Sequence, residues 1–307
     1  MRQYVVQRLL GIVPVLLGVV TLVFFVLRIL PGEPTAILAA QSGGSAGDAA
    51  RLRAGYGLDR PLWMQYLSFL FGLARGDLGR SLFTRQPVAR IIAQQIPATL
   101  SLAGAAMGVA IGVGLLLGIV AAAYRDSWLD TLCMGLSTVG VSVPIALSGI
   151  VLILLFSLAL RWLPATGQGT LRHLAMPATV MGLASAGSIA RLTRTQLVEV
   201  LAQEYIHVAR AKGLSERRLL LHHALRNALI PVLTVMGLQF GFMLGGAVVT
   251  ESVFARQGLG RTLVDAILYQ DYPLVQGIVI VSACLYTAIN LVVDLAYGYL
   301  DPRIRHE

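Results

Sequence analysis

The chain has 307 residues, 56% hydrophobic and only 13% charged, with a formal net charge of +9. Soluble domains carry about 25% charged residues, so this composition excludes an ordinary water-soluble globule and points to the membrane. A positive balance also suits nucleic acid, but the cations are spread over loops and helix ends rather than along one face.

Six uncharged runs are long enough to cross a bilayer, which takes roughly 17–25 apolar residues. They are Leu9–Leu27, Ile91–Tyr124, Thr131–Leu160, Leu174–Ala190, Asn227–Thr250 and Tyr272–Val293. None alternates polar and apolar residues as a barrel strand does. The expected fold is therefore all-α and polytopic, with six transmembrane helices. Placing both termini in the cytoplasm puts Arg2, Arg8, Arg125, Arg194, Arg303, Arg305 and the cations of the central loop inside, the usual bias.

Arg2 and Arg8 before the first run resemble the start of a signal peptide. The run exceeds the usual 7–15 residues of such a core, and Pro31-Gly32-Glu33-Pro34 follows in place of a cleavage site. An uncleaved anchor is expected. Gln41–Asp48 reads as a flexible link, followed by helices over Asp48–Tyr56 and Pro61–Ala74. The second helix carries Trp63, Tyr66, Phe69 and Phe71, which suits the membrane interface or packing over the bundle. Gly76–Leu82 is turn-rich. This outer segment lacks an evident core of its own and should fold onto the spans.

From Pro97 onward a five-helix body is expected. Gly104, Gly108 and Gly112, then Gly114 and Gly118, and later Gly237, Gly241 and Gly245 repeat at intervals of four, which lets helices approach closely in lipid. Pro144 should kink the third span and could border a cavity. Cys133 and Cys284 fall inside spans as small packing residues.

Enzyme chemistry finds little support. A phosphate loop needs lysine followed by serine or threonine, yet Lys212 is the only lysine and Gly213 follows it. Ser137 and Ser185 have neighbouring glycines, but His173, His207, His222, His223 and His306 lie outside the spans or at their ends, so no base adjoins them. Ion-coupled transport would favour a charge deep in the bilayer. Asp294, one turn after Asn290, is the best candidate, while Glu251 at a span end should reach water. Neither cofactor nor metal is expected on this chain.

The densest basic stretch lies between two apolar runs, Tyr205 to Pro231, and holds Arg210, Lys212, Arg217, Arg218 and Arg226. Glu199–Lys212 has helix-forming composition, with Tyr205, Val208, Ala209 and Lys212 on one side. Gly213 should stop this helix in the left-handed region. Ser215 should cap a second helix reaching about Asn227. Such an elbow could dock on a partner protein, or the loop could be solvated and attracted to anionic headgroups.

Ala209–Arg218, ARAKGLSERR, and His223–Thr234, HALRNALIPVLT, resemble the coupling loop of membrane permeases from bacterial ATP-binding-cassette importers for dipeptides, oligopeptides and nickel. The likeness runs nearly end to end: RLLGIVPVLLGV, LPGEP, YGLDRPLWMQY, GDLGRSL, IPATLSLA, ARLTRTQLVEVL, GGAVVTESVF, GLGR, DYPLVQG and NLVVDLAYGYLDPRIR. His207, Val208 and Ala209 stand where importer permeases broadly have Glu-Ala-Ala, and Gln257 where this family often has proline.

The resemblance implies a type I importer and the first of its two permeases. It divides the chain into an anchor at 1–30, an extracytoplasmic segment at 31–96, a permease body at 97–298 with the coupling loop at 193–227, and a tail at 299–307. It implies Tyr205, Ala209, Arg210, Ala211, Lys212, Gly213 and Leu214 as ATPase-coupling residues. The implied partners are a second permease, two ATPases that hold the ATP and Mg, an extracytoplasmic binding protein and membrane lipid, with no nucleic acid. Peptide is the first expected substrate, with nickel, glutathione or an oligosaccharide as alternatives. An ion-coupled secondary transporter, or a sensor or scaffold, would need no ATPase partner.

Overall fold

A computed structural model describes residues 2–29, 39, 46–55 and 57–300, in two compact units. Its helices in chain order are α1 (Arg2–Ile29), α2 (Ala46–Gly55), α3 (Leu62–Ala74), α4 (Val88–Ala123), α5 (Trp128–Ser142), α6 (Ile145–Leu152), α7 (Leu171–Leu201), α8 (Glu204–Ala211), α9 (Glu216–Arg218), α10 (Leu225–Val253), α11 (Leu259–Leu268) and α12 (Tyr272–Leu300). Two π turns, Ile153–Ala159 and Leu219–Ala224, extend α6 and join α9 to α10. The expected all-α class holds among the described residues, an isolated bridge between Arg80 and Pro87 aside.

Among the described residues, four helices are long and apolar enough to cross a membrane, over Gly11–Ile29, Val88–Ala123, Glu216–Val253 and Tyr272–Val293. The pair Trp128–Ser142 and Ile145–Ala159 makes a fifth if taken as one broken span. α7, expected to cross at Leu174–Ala190, falls outside this group. The reason is its position: Gly182, Ser185, Ala186, Gly187 and Thr193 are buried in it, small or hydroxyl residues that suit packing but dilute hydropathy.

Among the described residues, one unit comprises residues 2–5, 99–256 and 286–300. α7 runs against α5 and α10, around a core of Leu102, Ala106, Met181, Ile189, Val232, Met236 and Met243. A Cβ built on Gly114 would lie 2.8 Å from Ile189, and one on Gly118 would lie 2.6 Å from Thr193. Gly237 faces Val293 and Gly241 faces Tyr286 as closely. Four of the expected glycines thus set helix contacts, whereas Gly104, Gly108, Gly112 and Gly245 have nothing within 4 Å. Gly140 and Gly187, which carry no four-residue repeat with each other, bring α5 and α7 together instead. Arg194 of α7 also donates two hydrogen bonds, 2.6 and 2.5 Å long, to the buried Asp130 of α5.

Glu251 does not reach water: it is fully buried at the end of α10 and accepts a 2.7 Å hydrogen bond from Thr99. Arg256 lies beside it, its backbone N–H on the Glu251 carbonyl at 2.8 Å and its guanidinium donating to Ser101 at 3.0 Å. The turn at 254–256 folds the cation back, so both charges are covered together. The side chain of Asp294 lies outside the described residues, as do Pro31, Pro34, residues 41–45 of the flexible link and residues 301–307.

The other unit comprises residues 6–98 and 257–285. Val23, Leu27, Val88, Ile92, Leu259, Ala266, Leu274 and Ile278 form its core. The outer segment folds onto the first span as expected. Tyr66 and Phe69 of α3 pack on Phe24, with ring centroids 5.1 and 5.6 Å apart, while Trp63 and Phe71 are 61% and 66% exposed. Buried Asp271 closes the hairpin near Ser81: Ser81 Oγ donates to it at 2.5 Å and the Leu82 N–H at 3.1 Å.

Candidate coupling loop and transport cavity

α7 ends at Leu201, and the chain re-enters helix at Glu204, so the expected continuous helix over Glu199–Lys212 is broken at Ala202–Gln203. α8 is held by Ile206, fully buried with Ala122, Leu197, Val200, Ala224 and Ala228. Helical spacing puts Tyr205, Val208, Ala209 and Lys212 on one side, but the buried anchor is Ile206. A β-branched apolar residue amid Glu204, Tyr205 and His207 was the available signal. Tyr205 and Val208 are exposed, so anchoring on Ile206 turns them outward. Asn227 fixes Tyr205 by donating to its hydroxyl at 2.8 Å.

Gly213 terminates α8 at φ 84°, as its position implied. The Leu214 N–H reaches the Ala209 carbonyl at 3.4 Å and the Gly213 N–H reaches Arg210 at 3.0 Å, the paired bonds of a Schellman stop. Ser215 occupies the next N-cap, but its side chain makes no capping bond. The second helix does not end near Asn227 either: it passes through the π turn at Leu219–Ala224 directly into α10. Tyr205 lies in the first turn of α8, and Ala209–Leu214 make up its last turn and the glycine stop. Arg210, Ala211, Lys212 and Gly213 are exposed, and Ala209 and Leu214 are half-buried.

Arg210 is not a loose surface cation. Its guanidinium donates to both Glu216 oxygens at 2.5 and 3.0 Å, across the glycine turn. That pairing holds the arginine more firmly protonated than usual. Lys212 carries the exposed positive charge at the tip, with Arg217 and Arg218 behind it.

Deeper in the same unit, Pro144 does more than kink its span. α5 and the helix beginning at Ile145 diverge by 101°. Proline has no N–H, and the first-turn amides of Ile145, Ala146 and Leu147 have no intrahelical acceptor. Beside this break is a cavity of about 440 Å³ lined by Ser142, Pro144, Ser185, Ser188, Gln239 and Phe242, among others. Ser185 is 5% exposed. Among the described residues, none of the side chains of Ser142, Ser185, Ser188 and Gln239 makes a hydrogen bond. Ser142 is exposed and Ser188 and Gln239 are half-buried, so their polar groups are open to water, cargo or another chain. The lining contains no charged residue. Ser137, by contrast, donates to its own helix at the Cys133 carbonyl, 2.8 Å away.

A helical body with long apolar helices, a bent helix pair and a cavity beside the bend suits a transport permease. The chain belongs to the family described as binding-protein-dependent transport system inner membrane component, matched over residues 114–306, with the corresponding N-terminal family matched over residues 1–103. Within it, the chain is an ABC importer permease of the peptide and oligopeptide branch, an inner-membrane protein. It is 44% identical to a putative peptide transport system permease protein of Brucella abortus and 43% identical to the glutathione transport system permease protein GsiC of Salmonella typhimurium, with all of each chain covered. Among solved structures, the inward-facing MetNI methionine ABC transporter aligns with a TM-score of 0.60 at 16% identity, covering 69% of this chain and 96% of the other. That likeness shows the fold.

Proposed function

We propose that this chain is the first permease of an importer that carries dipeptides or oligopeptides across the cytoplasmic membrane. The loop around Ala209–Leu214 couples it to separate ATPase subunits. The observation that carries this reading is the exposed turn locked by Ile206, Gly213 and the Arg210–Glu216 pair, a rigid small-residue surface on a membrane body. A rigid surface transmits a push; a solvated loop absorbs it.

In this reading the chain crosses the membrane six times, with α7 and the broken pair each counted as a span and both termini cytoplasmic. Residues 1–30 anchor it, 31–96 are extracytoplasmic, 97–298 form the permease body, and 299–307 are a tail. A second permease completes the pathway, two ATPases hold ATP and Mg, and a binding protein delivers cargo from outside. The cavity at Pro144 is this chain's half of the path. Its uncharged lining suits a peptide main chain held by neutral hydrogen bonds, with apolar room for varied side chains. Glutathione is a second reading, favoured by the relatives of that name; it is itself a small peptide.

The test is ATPase activity of the reconstituted four-subunit complex with cargo-loaded binding protein. Wild type is compared with Gly213→Pro combined with Ala209→Glu. A di- or tripeptide should stimulate wild type, and the variant should assemble yet lose that response. An unchanged response sinks the coupling assignment. Stimulation by glutathione alone selects the second reading, and stimulation by nickel alone removes the peptide class.

A further inference from the structure

A second polar pocket lies in the unit that contains α1, α3 and the start of α12. It measures about 260 Å³ and is lined by Arg28, Arg60, Gln65, Asp77 and Gln276, with Phe69 in its wall. The transport reading makes no use of it. Arg28 sits one residue before the end of α1, half-buried. Its Nε donates to Gln65 Oε1 at 3.1 Å, its Nη1 to the Phe24 carbonyl at 3.1 Å, and its guanidinium carbon stands 3.4 Å from the Phe24 ring centroid. No carboxylate pairs with it among the described residues, and Nη2 remains unused.

Gln65 is occupied as a brace, since its amide nitrogen donates to the Leu58 and Arg60 carbonyls at 3.2 and 2.8 Å. It thereby ties Arg28 to the turn that presents Arg60. Gly57 makes that turn at φ 66°, and a Cβ there would sit 3.6 Å from the Arg60 side chain. Opposite, Gln276 is 5% exposed and its Nε2 has no acceptor among the described residues. Asp77 at the rim accepts the Gly79 N–H at 2.8 Å. The pocket therefore converges two guanidinium groups and a buried amide donor against one tethered carboxylate. Among the described residues, Gln276 Nε2 has no acceptor and the Arg28 guanidinium has no carboxylate partner.

We propose that this pocket is an oxyanion site for the phosphodiester of a phospholipid headgroup. The observations place it at the lipid boundary. Arg28 ends a span, Phe24, Phe25, Tyr66 and Phe69 cluster beneath it, and α3 turns exposed Trp63 and Phe71 outward. Aromatic rings at a span end mark headgroup depth. Guanidinium forks match phosphate oxygens in pairs. A bound phosphate oxygen supplies the acceptor missing at Gln276 and a counter-charge for Arg28. The site thus serves as a lipid-dependent clasp holding α1, the Gly57 turn and α12 together within this unit.

The experiment uses the full purified complex in neutral detergent, stripped of lipid, then given phosphatidylglycerol, phosphatidylcholine or inorganic phosphate. Retained lipid is read by native mass spectrometry and the unfolding midpoint by a thermal scan. Wild type should retain phosphatidylglycerol and gain midpoint from it, with a smaller gain from phosphatidylcholine. Arg60→Gln, on an exposed side chain, should fold normally and retain about fivefold less phosphatidylglycerol, corresponding to roughly 1 kcal/mol for a cation near anionic headgroups. Gln276→Met and Arg28→Gln should weaken retention further. Equal retention by Arg60→Gln and wild type overturns the site. A midpoint gain reproduced by inorganic phosphate alone overturns the lipid source. Peptide-stimulated ATPase activity in the same preparations reports separately on the transport reading.

Discussion

Glu251 shows how one residue changes meaning between sequence and structure. At the end of a long apolar run it looks like a water-facing terminus, yet the turn through Phe254–Arg256 seals it beside Arg256, Thr99 and Ser101. Burial works against the Arg256 charge and the neighbouring carboxylate favours it. Removing one of two opposite charges buried near each other leaves the other uncompensated, which typically costs about 3–5 kcal/mol. Glu251→Ala should therefore lower the unfolding midpoint of the detergent-solubilised chain strongly, and Glu251→Gln, which keeps the Thr99 bond, by less. Midpoints within a degree of wild type for both would show that the pair contributes nothing. Ile206 is the converse case: a single apolar side chain decides which face of an eight-residue helix looks outward. Ile206→Asp should expose the loop to limited proteolysis at Arg210 or Lys212, whereas Val208→Asp on the exposed face should leave the cleavage pattern unchanged.

At the scale of elements, spacing alone does not say which glycines matter. Both Gly104 and Gly187 lie in long helices, but only Gly187 abuts a neighbour, at the Ser137 carbonyl of α5. Gly187→Ala should destabilise by roughly 1–3 kcal/mol through overpacking. Gly104→Ala should be neutral or stabilising by up to about 1 kcal/mol, because alanine orders a helix better than glycine. Comparing the two midpoints tests this directly, and a larger loss at Gly104 would contradict the packing described. Helix stops were legible because their chemistry is local: Gly213 had to take a left-handed turn, and Pro144 had to interrupt α5. The 101° angle at Pro144 was not legible, because it depends on what packs around the break. The Ser215 cap failed for a similar reason, since α9 is only the entrance to a longer helix already held by its neighbours.

For the whole molecule, the helical membrane class followed from composition, and the family resemblance from ordered blocks along the chain. A cavity beside Pro144 was legible too, but its polar lining was not, because Ser142, Ser185, Ser188 and Gln239 come from three separated helices and share no sequence pattern. Only the folded body shows that their polar groups converge without partners. Under the proposed function, Gln239→Leu should lower uptake of a tripeptide by about tenfold while leaving assembly and basal ATPase activity intact. The measure is initial uptake rate in proteoliposomes across a range of peptide concentrations. Unaltered uptake would remove Gln239 from the path.

The π turn at Leu219–Ala224 has a mechanical consequence. A π turn winds one more residue into its circuit than the α-helix on either side. In a crystal such a surplus row would be a dislocation, and a dislocation moves by exchanging one bond at a time instead of breaking a whole plane. It lies between the glycine turn and α10, so under the proposed function a push on the exposed turn has to cross this one-residue surplus to reach the membrane.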